Sequence, residues 1–175
     1  MNKLTSFFLH GGAVEGSRPV VAIRAVTGAV FLVSGLLKFL FENQGVGRFT
    51  KLGLPSPALL ASFVGAVELV CGALLVVGLF TRIAAIPLAI DMVVAIVTTK
   101  LPLLVGPGPE PVAAPPKVGL LAFAYQARLD MTMLVACGYL VAVGAGALSL
   151  DAWLARRQSE RKLLGVVRAL SPSEA

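Results

Sequence analysis

PALLASFVGAVELVCGALLVVGLFTRIAAIPLAIDMVVAIVTT, residues 57–99, contains two apolar stretches, about Pro57 to Phe80 and about Ile83 to Thr99, with only the turn Gly78 to Arg82 between them. Each stretch approaches the ~20 residues that a ~30 Å hydrocarbon layer demands of a spanning helix. So short a turn makes the pair an antiparallel transmembrane hairpin. Each stretch also carries one acid near its middle, Glu68 and Asp91. An ionisable group at the centre of a spanning helix costs roughly 2.5–3.5 kcal/mol on insertion scales. Both acids are therefore expected to face protein or a wet cavity.

Two more stretches of the same kind flank the hairpin, from about Val20 to Phe41 and from about Leu129 to Leu150. The chain has 175 residues, 57% of them hydrophobic and 14% charged. That leaves too few polar residues to cover a water-soluble core. The reading is an all-α, polytopic membrane four-helix bundle with spans at about 20–41, 57–80, 83–99 and 129–150. A segment of residues 1–19 precedes the bundle and a basic tail, 151–175, follows it. Leu4 to Leu9 is too short and polar for a signal peptide, so the first span is expected to be retained. Leu101 to Lys117, with its run GPGPEPVAAPP, reads as an extended, non-helical loop at the membrane surface. The apolar stretch Val118 to Tyr125 is either an interfacial segment or an extra turn or two of the fourth helix.

The formal net charge of +6 does not point to nucleic acid, because the basic residues flank apolar spans and crowd the C-terminus. Membrane lipids are the expected partner of such charge. The tail, AWLARRQSERKLLGVVRAL, fits an amphipathic helix. Trp153, Leu154, Leu163, Leu164, Val167 and Leu170 form its apolar side, with Arg156, Arg157, Arg161 and Lys162 on the other. A solvated helical tail is the alternative. Lys3, Arg18, Arg82 and the tail share one side of the membrane, and Arg48, Lys51, Lys100 and Lys117 the other. The tail tips the balance toward cytoplasmic N and C termini.

Helical spacing places the buried charges. Arg24, Gly28, Phe31, Gly35 and Lys38 share one face of the first span; Ala61, Gly65, Glu68 and Gly72 share one of the second. Ala84, Pro87, Asp91, Ala95 and Thr98 align on the third, and Asp130, Cys137, Gly144 and Asp151 recur every seventh residue. Small residues let helices approach closely in lipid, so a face both small and charged belongs inside the bundle. The expected polar cluster is Arg24, Lys38, Glu68, Asp91 and Asp130. Lys38 is expected to meet Glu68 or Asp130, and Arg24 to meet Asp91. Such pairs either fix helix register or form a proton-coupled or polar-ligand site.

The donor inventory narrows the chemistry. His10 is the only histidine, so haem held by two histidines of this chain is excluded, and His10 reads as a surface residue. Cys71 and Cys137 form no Cys-x-x-Cys motif and read as packing residues. No metal site and no covalently bound cofactor is expected. HGGAVEG (His10 to Gly16) lacks the lysine and hydroxyl residue of a phosphate loop. If the protein handles electrons, the carrier is a quinone or a partner's cofactor.

RAVTGAVFLVSGLLKF (Arg24 to Phe39), GAVELVCGALLVVGLFTR (Gly65 to Arg82) and GAGALSLDAWL (Gly144 to Leu154) occur in this order. Together they resemble the DoxX/DoxD family of small bacterial four-helix membrane proteins, with Arg82 and Asp151 as family-like termini of the second and third motifs. In that comparison Asp130 takes the place of an acid at the entry to the fourth helix, and the proline-rich loop is an elaboration. The resemblance implies a multi-pass protein of the bacterial inner membrane. Some relatives are subunits of a thiosulfate:quinone oxidoreductase, and others are linked to thiol and oxidative-stress homeostasis. Two functions follow from it. One is an accessory or scaffolding subunit among other membrane or redox subunits. The alternative is an enzyme subunit whose outer vestibule, with Lys38, Arg48, Lys51, Lys117 and Arg128, binds an anion such as thiosulfate, Glu68 and Asp130 accepting protons. A small transporter is a third reading, and four helices without a repeat leave it room only as a homo-oligomer.

Overall fold

The computed structural model describes residues 18–110, 112, 116–146, 148–154, 156, 157, 159 and 160. Among these, all regular structure is helical. The elements are α1 (Arg18–Leu40), the short α2 (Val46–Lys51), α3 (Pro57–Val77), α4 (Thr81–Ala95) and α5 (Leu120–Val143). Four stretches are long and apolar enough to cross a membrane: Pro19–Leu40, Pro57–Val77, Thr81–Leu104 and Leu120–Val143. At 1.5 Å per residue each extends over about 30–36 Å, matching the hydrocarbon layer. Lys3, His10 to Gly16, and the tail beyond residue 160, with Arg161, Lys162, Leu163, Leu164, Val167 and Leu170, lie outside the described residues.

The four long helices run up and down in chain order. α1 packs most extensively on α3, and α4 on α5, while α1 and α5 touch only sparsely. The α1–α3 seam is a glycine contact. A Cβ on Gly28 would come within 2.7 Å of the Gly72 carbonyl oxygen, and one on Gly35 within 2.8 Å of the Gly65 carbonyl oxygen. No side chain fits in either place, so the two backbones pack directly. Close packing of this kind supplies helix association where water does not. Phe31, Leu75, Ala84, Ala85, Leu88, Met92, Met133, Cys137 and Leu140 fill the apolar core. The faces assigned to the first two spans do point inward: Arg24, Gly28, Phe31, Gly35, Ala61, Gly65, Glu68 and Gly72 are all buried, while on the third only Ala84 is, with Pro87, Asp91, Ala95 and Thr98 half-buried. Of the seventh-residue set on the fourth span, Cys137 and Gly144 are buried, Asp130 is half-buried, and Asp151 lies beyond the helix.

Several boundaries differ from the sequence reading. The fourth span is residues 120–143, not 129–150. Its apolar prelude continues the helix, and Gly144, at φ 90°, ends it in a conformation that L side chains rarely adopt. Asp130 therefore lies in the middle of its helix, not at the entry. The third span also runs further. After Ala95 it widens into a π turn, Ile96–Lys100, and closes with a 3-10 turn, Leu101–Leu104. The loop had been expected to be non-helical from Leu101. Pro102 sits in the first turn of this short helix, where a missing N–H costs nothing. Helix α2 was not foreseen. It fills the connection between α1 and α3 and packs on α3.

Substituting Gly72→Val is expected to destabilise the bundle by about 1–3 kcal/mol through overpacking, seen as a lower melting temperature in detergent. Gly138→Ala, which meets nothing within 4 Å, is expected to leave the melting temperature unchanged or slightly raised.

Candidate functional site

The α1–α3 contact sets the first half of the site. Lys38 stands in the last turn of α1, and its Cβ passes 3.4 Å from where a Cβ on Gly65 would be. With no side chain there, the lysine stem lies along α3 and reaches Glu68. Lys38 Nζ donates to Glu68 Oε2 at 2.5 Å, with the Lys38 side chain 12% exposed and that of Glu68 3%. Asp91, one helix further on, faces the same pair and interacts with both. Asp130 on α5 completes the cluster, and its Oδ2 is buried without a hydrogen-bond partner.

These groups surround a cavity of about 220 Å³, lined also by Ser34, Arg48, Met92, Thr98 and Thr99. Thr98 and Thr99 belong to the π turn and donate to the carbonyls of Val94 and Ala95. Their hydroxyls are thus turned back onto the helix. A widened turn beside a polar cavity is a frequent arrangement at functional sites. Val94 and Leu129 line the cavity too, yet each is more than half exposed. Its rim therefore reaches the apolar outside of the bundle. Three carboxyl groups and two cationic side chains line it, so the ionised cavity is not a natural anion receptor.

At its end away from the described chain ends, the cavity is bordered by α2, which meets Glu110 of the proline-rich loop on its far side. Arg48 pairs with Glu110 through both Nε and Nη2, the latter donating to Oε2 at 3.1 Å. Lys100 Nζ lies 3.5 Å from the same carboxylate. Glu110 was not singled out from sequence, although it is the only acid of residues 101–119 and shares that side of the membrane with Arg48 and Lys100. Of the other vestibule candidates, Lys51 and Lys117 are exposed and line no part of the cavity. Arg128 is exposed on α5, donates to the Tyr125 carbonyl and stacks on the Tyr125 ring at 3.9 Å.

Arg24 does not join this cluster, and the expected Arg24–Asp91 pair is not formed. Arg24 lies at the opposite end of the bundle, whereas Asp91 stands about 15 Å along α4 from Thr81 at 1.5 Å per residue. Its Nη1 donates to the Ala145 carbonyl at 2.5 Å and its Nη2 to the Leu148 carbonyl at 3.0 Å. Arg82 donates to the Ala142 and Val143 carbonyls at 3.1 and 3.2 Å, capping the C-terminus of α5. Asp151 accepts from the Phe80 N–H at 3.0 Å and lies 3.4 Å from the Thr81 nitrogen, at the start of α4. The Asp151 N–H bonds the Gly78 carbonyl at 3.1 Å. Gly78, at φ 76°, ends α3 and packs against the Arg24 guanidinium. Arg24, Arg82 and Asp151 thus form a knot that satisfies helix ends, separate from the cavity. The knot also brings both described ends of the chain to one end of the bundle. Beyond it the chain is helical again from Leu150, and Arg157 stacks on Trp153 at 4.0 Å.

Comparison with known proteins adds similarity on this scale. Residues 20–101, the first three spans, match the family described as DoxX. The "Uncharacterized membrane protein Rv3486" of Mycobacterium tuberculosis (strain ATCC 25618 / H37Rv) is 43% identical over 144 residues, which is 82% of this chain and 85% of that protein. The "Putative oxidoreductase CatD" of Bacillus subtilis (strain 168) is 33% identical over 129 residues, 74% of this chain and 81% of that one. No solved structure matches the chain.

Lys38→Met is expected to cost about 3–5 kcal/mol by leaving the Glu68 carboxylate buried without its cation. The double variant Lys38→Met, Glu68→Leu is expected to regain most of that loss in the same unfolding assay. Asp151→Ala is expected to cost about 1–2 kcal/mol as a lost cap, without changing the environment of Glu68.

Proposed function

Because the chain belongs to the DoxX family of membrane proteins, we propose that it is an accessory subunit of a membrane redox assembly, offering that assembly a small proton-exchanging polar cavity. The observation that carries this reading is the cavity itself. Glu68, Asp91 and Asp130, held by three different helices, meet Lys38 at membrane depth, and Asp130 keeps a buried oxygen unpaired. Buried ionisable groups around a cavity in a span are functional by default. A fold alone does not assign an activity; the name of the Bacillus subtilis relative supports redox association.

In this role the chain binds other membrane or redox subunits through its apolar outer surface, and electrons travel on a quinone or a partner's cofactor. Quinone reduction consumes protons, and carboxyl groups at the cavity are suited to supply them. The rim formed by Val94 and Leu129 lets a lipid-soluble carrier approach from the bilayer. In this reading the protein lies in the bacterial inner membrane with both termini in the cytoplasm, the orientation that the basic residues of the tail favour.

Purification of the full chain in mild detergent tests this reading. Stable co-purification with larger cofactor-bearing proteins is expected, with no quinone reduction by the isolated chain. Within the assembly, Glu68→Gln and Asp130→Asn are expected to slow quinone turnover while leaving the subunits associated. Thiosulfate-dependent quinone reduction by the isolated chain, abolished by Lys38→Ala, would instead make this chain the enzyme subunit.

A further inference from the structure

One carboxylate of the proline-rich loop is gripped by two cations from elsewhere in the fold. Glu110 accepts from Arg48 on α2 through both Nε and Nη2, a bidentate pair. Lys100 Nζ, at the end of the π turn, lies 3.5 Å from the same group. The loop that carries Glu110 is also fastened at its base. The Gly119 N–H donates to the Leu103 carbonyl at 2.7 Å. Gly108 packs so closely on the buried Leu103 that a Cβ there would come within 2.8 Å of the Leu103 Cδ2. The fold of the loop thus delivers Glu110 to its two partners.

Arg48 has a second side. It lines the same cavity as Lys38, Glu68, Asp91 and Asp130. Lys100, Arg48 and Glu110 all lie within electrostatic reach of the Asp130 carboxyl, and Arg48 within reach of Asp91 as well. Even so, among the described residues no ion pair includes Asp130, and its Oδ2 stays buried without a hydrogen-bond partner. Lys38 does not answer it, being bonded to Glu68 at 2.5 Å. The charged groups around Asp130 are therefore Lys38 from α1, Arg48 from α2, Glu68 from α3, Asp91 and Lys100 from the third span, and Glu110 from the loop. In surroundings of low dielectric a bare carboxylate attracts a cation strongly. Arg48 and Lys100 carry long, flexible stems, and Glu110 is what keeps both occupied.

We propose that Glu110 is a positioning residue for the cavity: by holding the charge of Arg48 and Lys100, it spares Asp130 for proton exchange. The inference rests on the reading of the cavity as a proton-exchanging site. With Glu110 in place, both cations are answered on the far side of α2, and the Asp130 oxygen is left as a place for a proton. With Glu110 removed, a guanidinium and an ammonium stand without a counter-charge beside a space of about 220 Å³. Asp130 then has the free oxygen to answer them, and an ion pair there takes the proton's place. A surface loop in this way decides whether an acid at membrane depth is free or paired.

Dicyclohexylcarbodiimide, an apolar reagent, reads the state of Asp130. It adds to a protonated carboxyl group: the acid proton passes to one nitrogen of the reagent and the carboxylate oxygen bonds its central carbon. The apolar rim at Val94 and Leu129 gives it a route from the bilayer. The full chain is labelled in phospholipid nanodiscs at neutral pH, and the adduct at Asp130 is measured by peptide mass spectrometry, with Asp130→Asn as the blank. The wild type is expected to label at Asp130. Glu110→Gln is expected to lower the labelling rate about tenfold, equivalent to about 1.4 kcal/mol. The triple variant Glu110→Gln, Arg48→Gln, Lys100→Gln is expected to restore it, a repair that a merely structural role for Glu110 does not allow. Glu110 is partly exposed, at 29% of its side chain, and unchanged circular dichroism checks the fold of each variant. Equal labelling of the wild type and Glu110→Gln would overturn this proposal while leaving the reading of the cavity in place. So would a loss that the triple variant fails to repair. Absence of any adduct at Asp130 in the wild type would overturn the proton-exchange reading itself, and this inference with it.

Discussion

The direct backbone contact between α1 and α3 is the constraint on which the polar interior depends. Lipid gives helices no hydrophobic reason to associate, so the seam must be held by packing and by the hydrogen bonds it encloses. Gly28 against Gly72 and Gly35 against Gly65 bring the two helices close enough for Lys38 to lie along α3 and meet Glu68. A larger residue at any of these positions would push the helices apart and leave the Glu68 carboxylate to face a cavity without its cation. Close packing and charge burial are in this sense a single arrangement.

The two ends of the bundle use polar groups in different ways. At the end nearest the described chain ends, Arg24, Arg82 and Asp151 are spent on backbone groups: carbonyls in the last turn of α5 and just after it, and amides at the start of α4. Helix ends leave such groups without internal partners, and inside a membrane protein there is little water to answer them. In the other half, the charges face one another across a cavity, and one oxygen of Asp130 is left over. The first arrangement closes the fold. The second leaves capacity for a proton or a small polar group, and it lies beside the widened turn of the third span.

Motif and role were therefore not aligned in a simple way. Arg24 and Glu68 look alike in sequence, each a charge on a stripe of small residues, yet one grips the chain after α5 and the other lines the cavity. Asp130 resembled a residue at a helix entrance because the apolar residues before it could belong to a loop or to the helix; as part of the helix, they carry it to the middle of the span. Glu110 sits among prolines and glycines, where no periodicity exists to relate it to Arg48, more than sixty residues away in the chain. Only the return of the loop over α2 makes the pair.

The sequence by itself determined that this chain crosses the membrane four times and that the charged faces of its first two spans point inward. Length and hydropathy fix a spanning helix, and the 3.6-residue period fixes which side chains share a face. Tertiary structure decided which charges meet, because a partner depends on the depth and order of the helices and on where each helix stops. Gly144, Gly78 and the prolines after Lys100 set those stops through backbone conformation. Depth then separates Arg24 from Asp91 by more than a side chain can bridge, and brings Lys38, Glu68, Asp91 and Asp130 around one space.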